Sequence, residues 1–336
     1  MNECDVIEKR KESIDIKNTC KNNDKHSDKQ ILVNIGYLNK YIEALIDNID
    51  KNKLPSEKIN IIFDGGAING VIGIGSALYI DKLRKNKYLK IDKISGCSVG
   101  SLIALWFYHK CPDMIFYYLD TFFSYYKNHK NLSTFHDFVN CFVNDLIDTD
   151  DVSYLNGKLF INCYDTKKHK QKVTSKFKNR QHLIHCILRS CHIPYIINKC
   201  YSYQERYIDG IVPHYFKNES NLLIKIISFK NILGIFKIKN ENNIYIRLLK
   251  GVVDVNDFFI NGETTMHHTY IKPQYFCIKT ELYIRKLYAL FIFDCIKWLM
   301  IFKDNIPVCI RETLLYNLTV NLFHTKIVPS LQNYLI

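Results

Sequence analysis

The chain has 336 residues, 47% of them hydrophobic and 24% charged, with a formal net charge of +13. That length buries a sizeable core, and an aromatic share of 13% excludes general disorder. No apolar run reaches the roughly 18–20 uncharged residues needed to span a bilayer; the nearest, 287–302, contains Asp294 and Lys297.

The basic balance favours an anionic partner, either nucleic acid or an anionic membrane face. The opening residues MNECDVIEKRKESIDIK lack the apolar stretch of a secretion signal, so a cytoplasmic location is expected. Twelve cysteines form no C-x-x-C pair and read as free, buried thiols in a reducing compartment.

Residues 1–30 carry seven Lys/Arg against seven Asp/Glu and read as a mobile tail. Apolar residues at Ile31, Ile35, Leu38, Ile42, Leu45 and Ile49 predict a helix closed by Pro55. Ile59–Phe63 is a β-branched run stopped by Asp64-Gly65-Gly66, the pattern of a buried strand ending in a turn. A small-residue stretch, 70–77, leads into a helical run through Lys85. Lys90–Ile94 predicts a second strand, which runs into Ser95-Gly96-Cys97-Ser98-Val99-Gly100 and a helix ended by Pro112. Both glycine turns fall at strand ends, where an open parallel sheet places its ligands.

Met114–Asp148 is aromatic-rich and helical with blurred periodicity. Gly157–Thr166 and Gln171–Phe177 read as a hairpin, and Arg180–Arg189 as a helix broken by Pro194. Tyr201–Ile208 predicts a strand leading into Asp209-Gly210, and Leu222–Phe229 a buried strand. Further helices are predicted at Thr280–Lys303 and Arg311–Phe323.

The resulting fold class is α/β, a mainly parallel sheet flanked by helices, with a helical N-terminal extension and a mixed C-terminal part. The units are the tail (1–30), an N-terminal helix (31–58), a core (59–228) and a C-terminal extension (229–336).

Gly96-x-Ser98-x-Gly100 fits a nucleophile elbow, in which a serine on a sharp strand-to-helix turn projects its hydroxyl above the sheet edge. The helix N-terminus favours the negative charge that develops in acyl transfer. The loop Gly65, Gly66, Ala67 lies at another strand end and has the small residues of an oxyanion hole. Asp209 offers a carboxylate at a third turn.

Asp64-Gly65-Gly66-Ala67-Ile68-Asn69-Gly70, Gly96-Cys97-Ser98-Val99-Gly100 and Asp209-Gly210-Ile211, in that order, resemble the three motifs of the patatin-like phospholipase family. Leu159–Phe177 is similar to the family's hairpin, and 188–194 to the segment before its last motif. The resemblance covers roughly 59–228. It implies a Ser–Asp dyad with Ser98 as nucleophile and Asp209 as general base. It also implies an oxyanion hole at Gly65, Gly66 and Ala67, and no metal or organic cofactor. Three residues depart from the family pattern: Ala67 for a glycine, Asn69 for a Lys/Arg, and Ile211 for a small residue.

The expected activity is hydrolysis of carboxylic esters in phospholipids or lysophospholipids, performed by a cytoplasmic enzyme transiently at a membrane surface. A need for a protein activator stays open. Two other readings also stay open. One is a Ser-Asp-His esterase using His214, His267, His268 or His324; the other is a non-catalytic lipid-binding scaffold of the same fold.

The cations Lys167, Lys168, Lys170 and Lys172 are candidate contacts for anionic lipid, or else a solvated hairpin loop. Nucleic acid is disfavoured because that cluster lacks interleaved aromatics. Thr280–Lys303 is either a core helix, the commoner outcome, or an interfacial one. His182, His185, Cys186, Cys191 and His192 lack a second paired half and read as core rather than a metal site. Gly65–Gly75 contains no G-x-G-x-x-G, which argues against dinucleotide binding.

Overall fold

A computed structural model describes residues 25–109, 112–129, 132, 134–198, 200–227, 245–271 and 276–305. Most of the tail, the helix expected at Arg311–Phe323, the end of the 222–229 strand and His324 lie outside the described residues.

Ile59–Phe63 forms β1, buried along its whole length at the centre of a seven-stranded sheet. It is flanked in parallel by β2 (Ile91–Cys97) and β6 (Asn221–Ile224), and β3 (Leu159–Asp165) joins parallel to β2. Three antiparallel strands complete the sheet. β4 (Lys170–Thr174) and β5 (Tyr207–Ile208) pair with β3, and β7 (His268–Ile271) pairs with β6. The predicted α/β class with a mainly parallel centre is the observed one.

Alternation along the strands assigns the two faces. Ile61 and Phe63 with Leu222 and Ile224 belong to the main core, whereas Ile62, Leu223 and Ile271 face a second, smaller one. The main core is built by helices α1 (Lys25–Asp47), α2 (Gly70–Lys85), α3 (Val99–His109), α4 (Pro112–His129), α5 (Phe135–Leu146), α6 (Arg180–Ser190) and α7 (Tyr245–Asn261). The smaller one is closed by α8 (Phe276–Asn305), through Leu282 with Ile278, Leu290 and Phe293.

The small-residue stretch before Lys85 is itself helical, and its lack of side chains is a packing device. A Cβ on Gly75 would stand 2.0 Å from Leu248 O, and one on Gly251 would stand 2.0 Å from Ile72 O. Helices α2 and α7 therefore touch backbone to backbone. Ser76 Oγ donates to Gly251 O (3.3 Å), and Tyr79 OH to Asn256 Oδ1 (2.9 Å), fastening the same contact.

Several boundaries differ from the sequence expectation for physical reasons. α1 stops at Asp47, because Asp50 accepts from Asn52 N–H (3.0 Å) and starts a new 3₁₀ turn at Lys51–Lys53. Pro112 begins α4, where its missing N–H costs nothing. Of the strand predicted at 201–208 only Tyr207–Ile208 pairs, since Tyr203 accepts Arg206 N–H and Tyr207 N–H in a tight turn. The thiols of Cys97, Cys163, Cys186 and Cys191 are free and buried as expected, but Cys200, Cys277 and Cys295 are exposed.

Core packing does not describe α8 as a whole. Leu282 and Arg285 are buried, while Tyr283, Ile284, Leu287, Tyr288, Phe291 (66% exposed) and Trp298 (58%) face outward. No helix among the described residues is long and apolar enough to cross a membrane.

Candidate active site

The parallel neighbours β1 and β2 each end in one part of the site, and the third part follows the antiparallel β5. β2 delivers Ser98, whose φ of 53° puts a non-glycine residue in left-handed backbone at the turn into α3. Such strain persists only where the surroundings enforce it. A Cβ on Gly96 would meet Gly100 O at 2.3 Å, and one on Gly100 would meet Phe63 O at 2.4 Å. Those two glycines let the elbow close against the end of β1. Ser98 N–H donates to Ser190 Oγ (2.9 Å), and Ser190 Oγ donates to Asn162 O (2.8 Å), tying the turn to α6 and β3.

β1 delivers Asp64 and the loop after it. The loop lies against the serine: a Cβ on Gly65 would be 3.1 Å from Ser98 Cβ. Gly65 N–H, one of three expected oxyanion donors, is donated to Asp64 Oδ1 at 2.8 Å. The N–H groups of Gly66 and Ala67 have no hydrogen-bond partner among the described residues. Ala67 stands where the family has glycine, and its φ of 45° is the conformation a glycine would adopt without strain.

Asp209 follows β5. Its backbone N–H donates to His192 O (2.8 Å), Gly210 N–H donates to Ser190 O (3.2 Å), and Ile211 N–H donates to Asp209 Oδ1 (2.8 Å). Asn162 Nδ2 and Gln171 Nε2 both donate to Val212 O, at 2.6 and 3.0 Å. Asp209 Oδ2 is buried with no hydrogen-bond partner.

Burial pushes the Asp209 carboxyl up to about 6, against the pull of the Ser98 hydroxyl and of Ile211 N–H. Ser98 lies close enough to favour the ionised carboxylate, although no hydrogen bond of ordinary length joins the two side chains. A proton acceptor near 6 is far better matched to a serine than an ordinary aspartate near 4.

The structure thus brings Ser98, the Gly65–Ala67 loop and Asp209 to one place. Residues 61–212 match the family model described as patatin-like phospholipase. The recognition made from the three motifs is borne out, and the fold agrees with it. The match supports a lipid acyl hydrolase in general terms, and with it a lipid substrate. None of the curated proteins matches the chain.

In the patatin-like segment Ser98 opens onto an apolar cavity of about 930 Å³, its open mouth included. Its walls come from α2, α3, α4 and α5, with Leu102, Phe122, Tyr126, Phe135 and Phe138 among the lining.

Among the described residues, the histidines available for a triad are engaged elsewhere. His214 stacks on Phe160, His267 Nδ1 meets Lys225 O at 2.9 Å, and His268 Nδ1 meets Asp254 at 2.6 Å. His182, His185 and His192 are engaged with Lys178 N–H, Tyr203 OH and Cys200 O. No group of three or more His, Cys, Asp or Glu able to hold a metal occurs among the described residues.

In the lysine hairpin, Lys167 and Lys168 N–H donate to Asp165, while Lys170 is exposed. Lys172 is not free to extend, because its Nζ lies 5.0 Å above the Tyr207 ring and donates to that hydroxyl.

Sequence reasoning missed the residues that brace the site. Arg285 of α8 forms a buried two-pronged pair with Asp64, at 2.7 and 2.6 Å. Arg247 of α7 donates to Asn69 Oδ1 at 2.6 Å. A lone arginine inside the apolar run LYIRKLYALFIF was the available signal for Arg285. Ser190 lies in the 188–194 segment, but its role and that of Asn162 depend on contacts between elements distant in sequence.

Proposed function

We propose that the chain hydrolyses carboxylic ester bonds of phospholipids or lysophospholipids through an acyl-Ser98 intermediate. The observation carrying this reading is a strained elbow serine beside a buried carboxylate with one oxygen unpartnered, at the mouth of an apolar cavity fit for an acyl chain.

Ser98 Oγ attacks the ester carbonyl as Asp209 takes its proton, and the carbonyl π electrons move onto the oxygen. Gly66 and Ala67 N–H groups hold that oxyanion, joined by Gly65 when its bond to Asp64 loosens. Collapse expels the alcohol, which receives the proton from Asp209. Water, deprotonated in turn by Asp209, then attacks the acyl-serine, releasing the fatty acid and restoring the hydroxyl. This route uses no metal or organic cofactor. The exposed aromatic stripe of α8 and the hairpin lysines Lys167, Lys168 and Lys170 support transient contact with an anionic membrane, with Lys172 held back on Tyr207.

The test is fatty-acid release from mixed phospholipid vesicles, with fluorophosphonate labelling in parallel, for the wild type, Ser98→Ala and Asp209→Asn. Turnover and labelling that disappear in Ser98→Ala are expected. Turnover that survives that change refutes the mechanism. Vesicle binding without turnover or labelling in the wild type supports the scaffold reading instead.

A further inference from the structure

Arg285 touches three parts of the chain that meet at the site. Its guanidinium holds both oxygens of Asp64, donates to Ile211 O (3.3 Å), and reaches Ile227 O (3.4 Å), three residues beyond β6. Asp64 Oδ1 in turn accepts the Gly65 N–H, so the pair sets the orientation of the peptide that leads to Gly66 and Ala67. Ile211 N–H donates to Asp209 Oδ1, so the residue whose carbonyl meets Arg285 also holds the base. Ala67 and Ile211 both have left-handed backbone, with φ of 45° and 65°. Two strained non-glycine turns, one on each side of Ser98, are thus joined through a single side chain that is 3% exposed.

We propose that Arg285 is a positioning residue for the hydrolytic reaction, fixing the oxyanion loop and the Asp209 turn relative to each other. The helix that carries it lies outside the segment matched by the family model, 61–212. Residues 61–212 alone are on this account an incomplete site. The inference rests on the acyl-hydrolase reading above.

A purely structural ion pair would look the same in a static view. Removing one partner of a buried pair leaves a stranded charge and destabilises the fold, whereas replacing both with neutral groups is often tolerated. The informative variants are therefore Arg285→Lys and the neutral double variant Asp64→Asn/Arg285→Met. Lysine keeps the charge but lacks the planar fork that grips a carboxylate with two bonds.

The experiment measures thermal stability, kcat and KM on a soluble short-chain p-nitrophenyl ester, and the rate of fluorophosphonate labelling, all in the full chain. The expected result is a kcat roughly 10–100-fold lower in both variants. KM should stay within about threefold, because the loss falls in the transition state. Labelling should slow in step, and melting of the double variant should stay close to wild type. A folded variant that keeps kcat and labelling within about threefold of wild type overturns the proposal. So does a loss confined to KM. A wild type that neither turns over nor labels refutes the hydrolase reading first, and this inference falls with it.

Discussion

Replacing Asp209 with asparagine separates what the carboxylate does for chemistry from what it costs the fold. Burial raises this group from 3.8 to about 6, so the folded protein binds its proton more tightly than the unfolded chain. A raised native pKa means that stability falls as pH rises through the window between those values. At 1.36 kcal/mol per unit, keeping the buried carboxylate ionised costs about 3 kcal/mol once the pH is above 7. Asparagine has the same shape, keeps an oxygen for Ile211 N–H, and carries no charge to desolvate. Asp209→Asn should therefore match the wild type in stability near pH 4. At pH 8 it should exceed it by up to about 3 kcal/mol while losing turnover. Urea denaturation at both pH values, on samples with circular-dichroism-verified folds, reads the difference directly. A stability difference between variant and wild type that is the same at both pH values, or a variant weaker than wild type at pH 8, would show that the carboxylate is not held against a desolvation penalty.

The same titration predicts that wild-type kcat/KM rises about tenfold per pH unit below about 6 and levels off above it; a flat profile from pH 5 to 8 contradicts the assignment of the base. Leu102 lines the cavity one helical turn after Ser98, so Leu102→Trp should lower the ratio of long-chain to short-chain ester turnover at least tenfold; an unchanged ratio means the acyl chain lies elsewhere. Ala67→Gly relieves left-handed strain and should raise stability by about 0.5–1 kcal/mol in urea melts; a drop would mean the methyl group packs usefully. Gly251→Ala drives a Cβ into Ile72 O and should cost about 1–3 kcal/mol or more; a neutral result would show that α2 and α7 separate easily.

Most of the sheet was legible because its strands are short, β-branched and bounded by glycine turns, and local signals of that kind survive folding. Ser98 and Asp209 were legible for the same reason, since each sits at a strand end marked by a glycine. The limits appear where tertiary pairing overrides local pattern. Tyr201–Ile208 reads as a strand, yet only Tyr207 and Ile208 join the sheet, at the far end of β3. Sequence pattern does not assign the small-residue run 70–77 to the helix that follows it, because helix contact through absent side chains has no hydrophobic period. Gly65 had the composition of a free donor, but its neighbour Asp64 takes the N–H, a competition that composition does not encode. The arginines at 247 and 285 act on residues 178 and 221 positions away, beyond the reach of any spacing rule.

The order of strands also bears on how the molecule is made. β1 is the centre of the sheet, yet one of its partners, β6, lies 161 residues later, where Asn60 faces Asn221. At 5–20 residues per second, about 8–30 s separate the synthesis of the two strands. For that interval one edge of a largely apolar strand has no mate, the kind of edge that recruits strands from other chains. Substitutions that weaken β6 should consequently show up first as poor yield of soluble protein during synthesis, before any change in the activity of the molecules that do fold.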